Sequence, residues 1–117
     1  MEKLSEGEYK LMEVLWQTGA AHSAQVVELC ARQLGWNKST TYTVLRRLKH
    51  KGAVEHRDAV VTPRLSRAEA IQTEGAQLER MAGGLSPFLA AFLGGRKLTQ
   101  AQAEELKELI DRTTWEG

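Results

Sequence analysis

Apolar side chains recur at helical spacing three times in the first 52 residues, and each run lies between a cap signal and a glycine. Leu11, Met12, Leu15 and Trp16 share one face of a first helix. Ser5 and Glu8 form a Ser-x-x-Glu capping box before it, Leu4 and Tyr9 occupy the staple positions around that cap, and Gly19 stops it. A second run, Val26, Val27, Cys30 and Leu34, extends from a cap at Ser23 to a C-terminal Gly35, with Trp36 packing in the turn. The third is "NKSTTYTVLRRLKHKG", Asn37 to Gly52, with Thr41, Val44, Leu45 and Leu48 inward. At about 100° per residue its opposite face presents Ser39, Thr43, Arg46 and His50, flanked by Tyr42 and Arg47.

The period then changes. In "AVEHRDAVVTPRL", Val54 and His56 alternate with Glu55 and Arg57, and a β-branched run follows. Arg57-Asp58 is a polar break and Pro63 closes the segment, which predicts a short hairpin. Three further helices follow. Ser66 with Glu69 caps one that runs toward Met81, and Gly83-Gly84 breaks it. Ser86-Pro87 starts a short apolar helix with proline at the favoured first position, and Gly94-Gly95 ends it. Thr99 with Gln102 caps a last helix bearing Ala103, Leu106, Leu109 and Ile110.

The expected fold is mainly α with a small β-hairpin. It comprises a winged helix-turn-helix domain over residues 1–65 and a helical dimerisation segment over residues 66–117. About 50 residues of small helices bury little apolar surface alone. "SPFLAAFLGG" is apolar almost all round and needs cover on more than one side. The simplest cover is the same segment of a second chain. Leu89, Phe92 and Leu93 would then be central, with Leu106, Leu109 and Ile110 as a second layer. The alternative is a monomer whose last helices fold back on its first domain.

Whole-chain charge conceals the functional signal. The 117 residues carry a net charge of only +1, but residues 32–67 hold nine Lys/Arg against Glu55 and Asp58, a local +7 between two segments of −3 each. A basic middle between acidic ends fits a localised polyanion site, and the plainer alternative is uneven surface charge without a partner. A winged helix-turn-helix inserts its third helix in the major groove, where short hydroxyl residues allow close approach. Ser39, Thr40, Tyr42, Thr43 and Arg46 are therefore candidates for contact with double-stranded DNA, at base edges or at phosphates. Lys38, Arg47, Lys49 and Lys51 are candidate phosphate neutralisers.

Other chemistries find little support. His22, His50 and His56 have no metal spacing, and the single Cys30 excludes a disulfide or multi-thiolate metal site within one chain. No phosphate-binding glycine loop or partnered nucleophile is present, so neither a cofactor nor catalysis is expected. No apolar run approaches a membrane span, and the start lacks a signal-peptide core, which leads to the expectation of a cytoplasmic protein. A protein-interaction module and a ligand-sensing winged-helix regulator remain alternatives.

The stretches "LSEGEYKLMEVLWQTG" and "NKSTTYTVLRRLKHKGAV" make the chain resemble the penicillinase-repressor family of bacterial regulators (the BlaI/MecI/CopY group). The family pattern falls on Glu8, Met12, Leu15, Trp16, Thr40, Thr43, Leu45, Arg47, Leu48, Lys51 and Gly52, and a weaker match continues through "TPRLSRAE" and "LTQAQAEELKELI". The resemblance implies a homodimeric repressor on a palindromic operator, of a beta-lactam resistance or similar stress operon, with base-reading positions at Ser39, Thr40, Tyr42, Thr43 and Arg46. The copper-responsive branch has paired C-terminal cysteines, which this chain lacks. The family's wing is longer by about four residues, and in the shortened wing Arg57 is the candidate DNA contact. Antibiotic-responsive members are cut by a membrane sensor protease at an Asn–Phe bond, and the matching bond here is Ala91–Phe92.

Overall fold

A computed structural model describes residues 2–115. The chain forms two compact units, residues 1–81 and 82–117. The first contains α1 (Glu6–Thr18), β1 (Ala21–His22), α2 (Ser23–Leu34), α3 (Lys38–Lys51), β2 (Val54–Arg57), β3 (Val60–Pro63) and all but the last residue of α4 (Arg67–Ala82). The second contains α5 (Leu85–Leu93) and α6 (Gln100–Thr113).

Local signals place most of these boundaries. The Ser5 hydroxyl accepts the Glu8 N–H and the Glu8 carboxylate accepts the Ser5 N–H, so the box closes in both directions. The boxes at Ser66–Glu69 and Thr99–Gln102 close in the same way. Leu11, Met12 and Leu15 of α1, Val26 and Cys30 of α2, and Leu45 and Leu48 of α3 meet Val54 and Val61 of the hairpin in one core. The inward stripe of α3, including Thr41, is buried as its spacing requires.

Three boundaries differ from the sequence expectation. The cap of α2 is His22, not Ser23: the His22 Nδ1 accepts the Ala24 N–H at 3.1 Å, and Ser23 becomes the first helical residue. The cause lies 36 residues downstream, where the Ser23 N–H donates to the Ala59 carbonyl at 2.7 Å. That bond and the pairs Ala21↔Val61 and His22↔Val60 hold the chain extended through His22, adding a third strand in the order β1-β3-β2. The hairpin break is Asp58-Ala59 rather than Arg57-Asp58, because Arg57 still pairs with Val60. Both turn residues have positive φ, 52° and 64°, the geometry a two-residue hairpin loop demands. Finally, α5 begins at Leu85. Pro87 is thus its third residue, still within the first turn where a missing N–H costs no helical hydrogen bond.

In the second unit the Phe88 and Phe92 rings lie 5.9 Å apart, and the Arg96 guanidinium sits 4.4 Å over the Phe92 ring. Among the described residues, neither α5 nor α6 buries a side chain.

Candidate nucleic-acid interface

The third helix is fixed before its outer face is considered. Asn37 caps it, with Oδ1 accepting the Thr40 N–H at 2.8 Å, and the Thr41 hydroxyl donates to the Asn37 carbonyl. At the other end Gly52 takes a left-handed φ of 80°, and its N–H caps the Leu48 and Lys49 carbonyls. Lys49, His50 and Lys51 fill the last turn, where cations complement the helix dipole. Beneath it, burial pushes the Cys30 thiol up from its ordinary range, with a Thr41 hydrogen bond opposing that shift.

The outer face is a ladder of short hydroxyls and long cations. Ser39, Thr40, Arg46, Arg47, Lys49 and His50 are exposed, and Tyr42 and Thr43 are half-buried. The Thr43 hydroxyl donates to the Ser39 carbonyl at 3.0 Å, leaving its lone pairs outward. The Lys38 ammonium lies 6.0 Å from the Tyr42 ring centre. Among the described residues, Lys38, Arg46, Arg47 and Lys49 make no salt bridge, so their charge is uncompensated and available to an anion. Thr43, Arg46, Arg47 and His50 also line an open cleft of about 640 Å³ against Ser5 and Glu8 at the start of α1.

Lys51 stands apart from the other expected phosphate neutralisers. Its ammonium lies 2.6 Å from the Glu8 carboxylate and donates to the Lys3 carbonyl at 2.8 Å. Glu8 is only 2% exposed. Burial acts to raise its pKa, but hydrogen bonds from Lys51 and Ser5, together with the Lys51 charge, outweigh it and hold the carboxyl below its ordinary value. Glu8 thus has a second function that its place in the capping box does not reveal: besides capping α1, it anchors the end of α3.

The wing is nearly neutral. Arg57 lies 3.7 Å from Glu55, and Arg64 grips the same carboxylate more closely. The Arg64 hydrogen bond, then the charges around it, hold the Glu55 carboxyl below its usual range. Among the described residues, no group of three or more His, Cys, Asp or Glu side chains gathers to hold a metal ion, and no helix is long and apolar enough to cross a membrane.

Known proteins resemble this chain in sequence and in fold. The chain is 26% identical to the penicillinase repressor of Bacillus licheniformis over 115 residues, covering 93% of this chain and 90% of that protein. It is 22% identical to the methicillin resistance regulatory protein MecI of Staphylococcus aureus (strain N315) over 116 residues, or 94% of each chain. The solution structure of the DNA binding domain of the repressor BlaI matches with a TM-score of 0.53 and 28% identity, over 59% of this chain and 93% of that one. The model of the family described as penicillinase repressor matches residues 4–112, from the cap of α1 to the last turn of α6. The chain therefore belongs to the penicillinase repressor family, whose members are winged-helix transcriptional repressors that bind DNA rather than catalyse a reaction.

Proposed function

We propose that the protein acts in the cytoplasm as a homodimer on a palindromic operator, each copy placing α3 in the major groove of one half-site and repressing a beta-lactam resistance or related stress operon. The observation that carries this reading is the outward stripe Ser39–Thr43–Arg46–His50, flanked by cations without carboxylate partners among the described residues. Ser39, Thr40, Tyr42, Thr43 and Arg46 read base edges, and Lys38, Arg47 and Lys49 neutralise phosphates. Lys51, committed to Glu8, holds the helix in place instead. Arg57 at the wing is partly offset by Glu55 and adds little to affinity.

The test is titration of a duplex selected by the wild-type protein, beside random duplex, across a salt series. Arg47→Ala and Lys49→Ala each flatten the salt slope by about one and weaken both duplexes alike. Arg46→Ala and Thr43→Ala instead cost roughly 1–3 kcal/mol of discrimination each. Equal losses on both duplexes for all four variants would remove α3 from base reading.

The C-terminal segment, residues 66–117, supplies dimerisation in this proposal. Its support is a second unit whose described helices bury nothing, with Leu89, Phe92, Leu106, Leu109 and Ile110 exposed and Leu93 half-covered. Phe92→Asp would place an unpaired charge in the interface, and light scattering should then give the monomer mass with the first unit still folded. The same helix is the proposed point of induction. Ala91 and Phe92 are exposed in the last turn of α5, next to Gly94. Cutting Ala91–Phe92 by a membrane sensor protease would divide the interface and lower operator affinity through lost bivalency. Mass spectrometry of the protein from antibiotic-treated cells tests this: intact chain during induction rules it out.

A further inference from the structure

The start of α4 meets α1 through directional polar and aromatic contacts, although Ala70 is its one buried residue among those described. Arg67, its first residue, donates from both terminal nitrogens to the two Glu13 oxygens, at 2.6 and 2.8 Å. The same guanidinium lies 4.8 Å over the Trp16 ring. The Trp16 indole N–H donates to the Leu65 carbonyl at 2.8 Å, and the Tyr9 ring meets Trp16 edge-on at 5.4 Å. One and two turns further on, Ala70 is buried and Glu74 lies 3.7 Å from Lys3. Arg67 and Glu13 are both substantially exposed, so the pair adds little to stability. A two-pronged guanidinium–carboxylate contact stacked on an indole fixes direction instead.

We infer that Arg67, held by Glu13 and Trp16, is a positioning residue that determines which half-site spacing the repressor accepts. The inference rests on the dimeric reading above. In that reading α4 leads from the DNA-reading domain into the segment that joins the two copies. The recognition helix is tied to α1 through Lys51 and Glu8, and α1 to α4 through Glu13 and Arg67, so α4 leaves each reader in one direction. Inserting one base pair between half-sites moves the second by about 3.4 Å and turns it by roughly 35°. A reader on a fixed arm loses the effective concentration of its partner under that change, whereas a reader on a loosened arm follows it.

The test uses full-length protein and a duplex selected from a random pool by the wild type, with the centre lengthened or shortened by one and two base pairs. Wild type should lose about thirtyfold in affinity for a one-pair change, part of the roughly hundred- to ten-thousandfold that bivalency contributes. Arg67→Ala should lose less than about threefold for the same change, while binding the original spacing more weakly. Glu13→Gln, which leaves Arg67 in place, should shift spacing tolerance in the same direction with an unchanged melting temperature. If both variants keep the wild-type dependence on spacing, the inference is overturned and the dimeric reading stands. If the wild type selects a sequence without two-fold symmetry, the dimeric reading falls and the inference with it.

Discussion

Replacing Lys51 by methionine isolates the contact that holds the recognition helix. Methionine keeps the length of the stem and removes only the ammonium, which leaves the Glu8 carboxylate buried with the Ser5 N–H as its remaining partner. Removing one member of a buried pair costs about 3–5 kcal/mol when no other group compensates. Here the Ser5 bond survives and the Lys51 side chain is 17% exposed, so water reaches the site and about 2–3 kcal/mol is expected. For a small domain that is a large fraction of its stability, and it moves the urea midpoint by about 1–2 M. The pH dependence has a definite sign. In the wild type the Glu8 pKa lies below its unfolded value, so its contribution is present above the unfolded pKa and is lost as pH falls through the folded one. Without Lys51 the desolvation of Glu8 dominates and its pKa rises, so acid relieves the variant by neutralising the carboxylate. The stability gap should therefore close on going from pH 7 toward pH 4. Tryptophan fluorescence in urea at several pH values measures it, and Glu8→Gln with Lys51→Met should recover much of the loss. A gap below about 1 kcal/mol, or one that does not change with pH, would show that the pair is not a buried anchor.

Three further outcomes are expected. Ala59→Gly should stabilise the protein by about 0.5–1 kcal/mol in the same denaturation assay, because alanine at φ 64° is strained and glycine is not, less the entropy glycine loses on folding. Asn37→Ala should cost about 1 kcal/mol of stability by uncapping α3, and should weaken operator binding, since the frayed turn carries Lys38, Ser39 and Thr40. Cys30, buried and with its thiol pKa raised, should resist a thiol reagent at neutral pH until the chain unfolds, while prompt labelling of folded protein would contradict its place in the core.

What was legible in the sequence was whatever is decided within one or two helical turns. The three capping boxes, the inward stripe Thr41–Val44–Leu45–Leu48 and the glycine stops at Gly35 and Gly52 all follow from local spacing, and they stand where that spacing put them. The hairpin break and the start of α5 were each misplaced by a residue or two, and most of what else was missed depends on partners far along the chain. Ala21-His22 has no strand pattern of its own and becomes extended only because Val60 and Val61 pair with it. That pairing also moved the α2 cap by one residue. Lys51 looks like its basic neighbours until Glu8, 43 positions earlier, is brought against it. Arg67 likewise belongs to a charged helix start until Glu13 and Trp16 meet it. Side-chain type and helical phase thus separate the outer face of α3 from its core, but they do not say which cations are already occupied.

The second unit has a consequence at the scale of the cell. Its described helices bury no side chain, so on the dimeric reading their order comes from a second copy and depends on how many copies are present. Newly made chains at low abundance then carry an apolar tail open to quality-control proteases, whereas paired chains hide it. Abundance and lifetime become linked: scarce repressor is removed faster than plentiful repressor. A promoter under such control switches over a narrower range of repressor synthesis than binding to a single half-site would give.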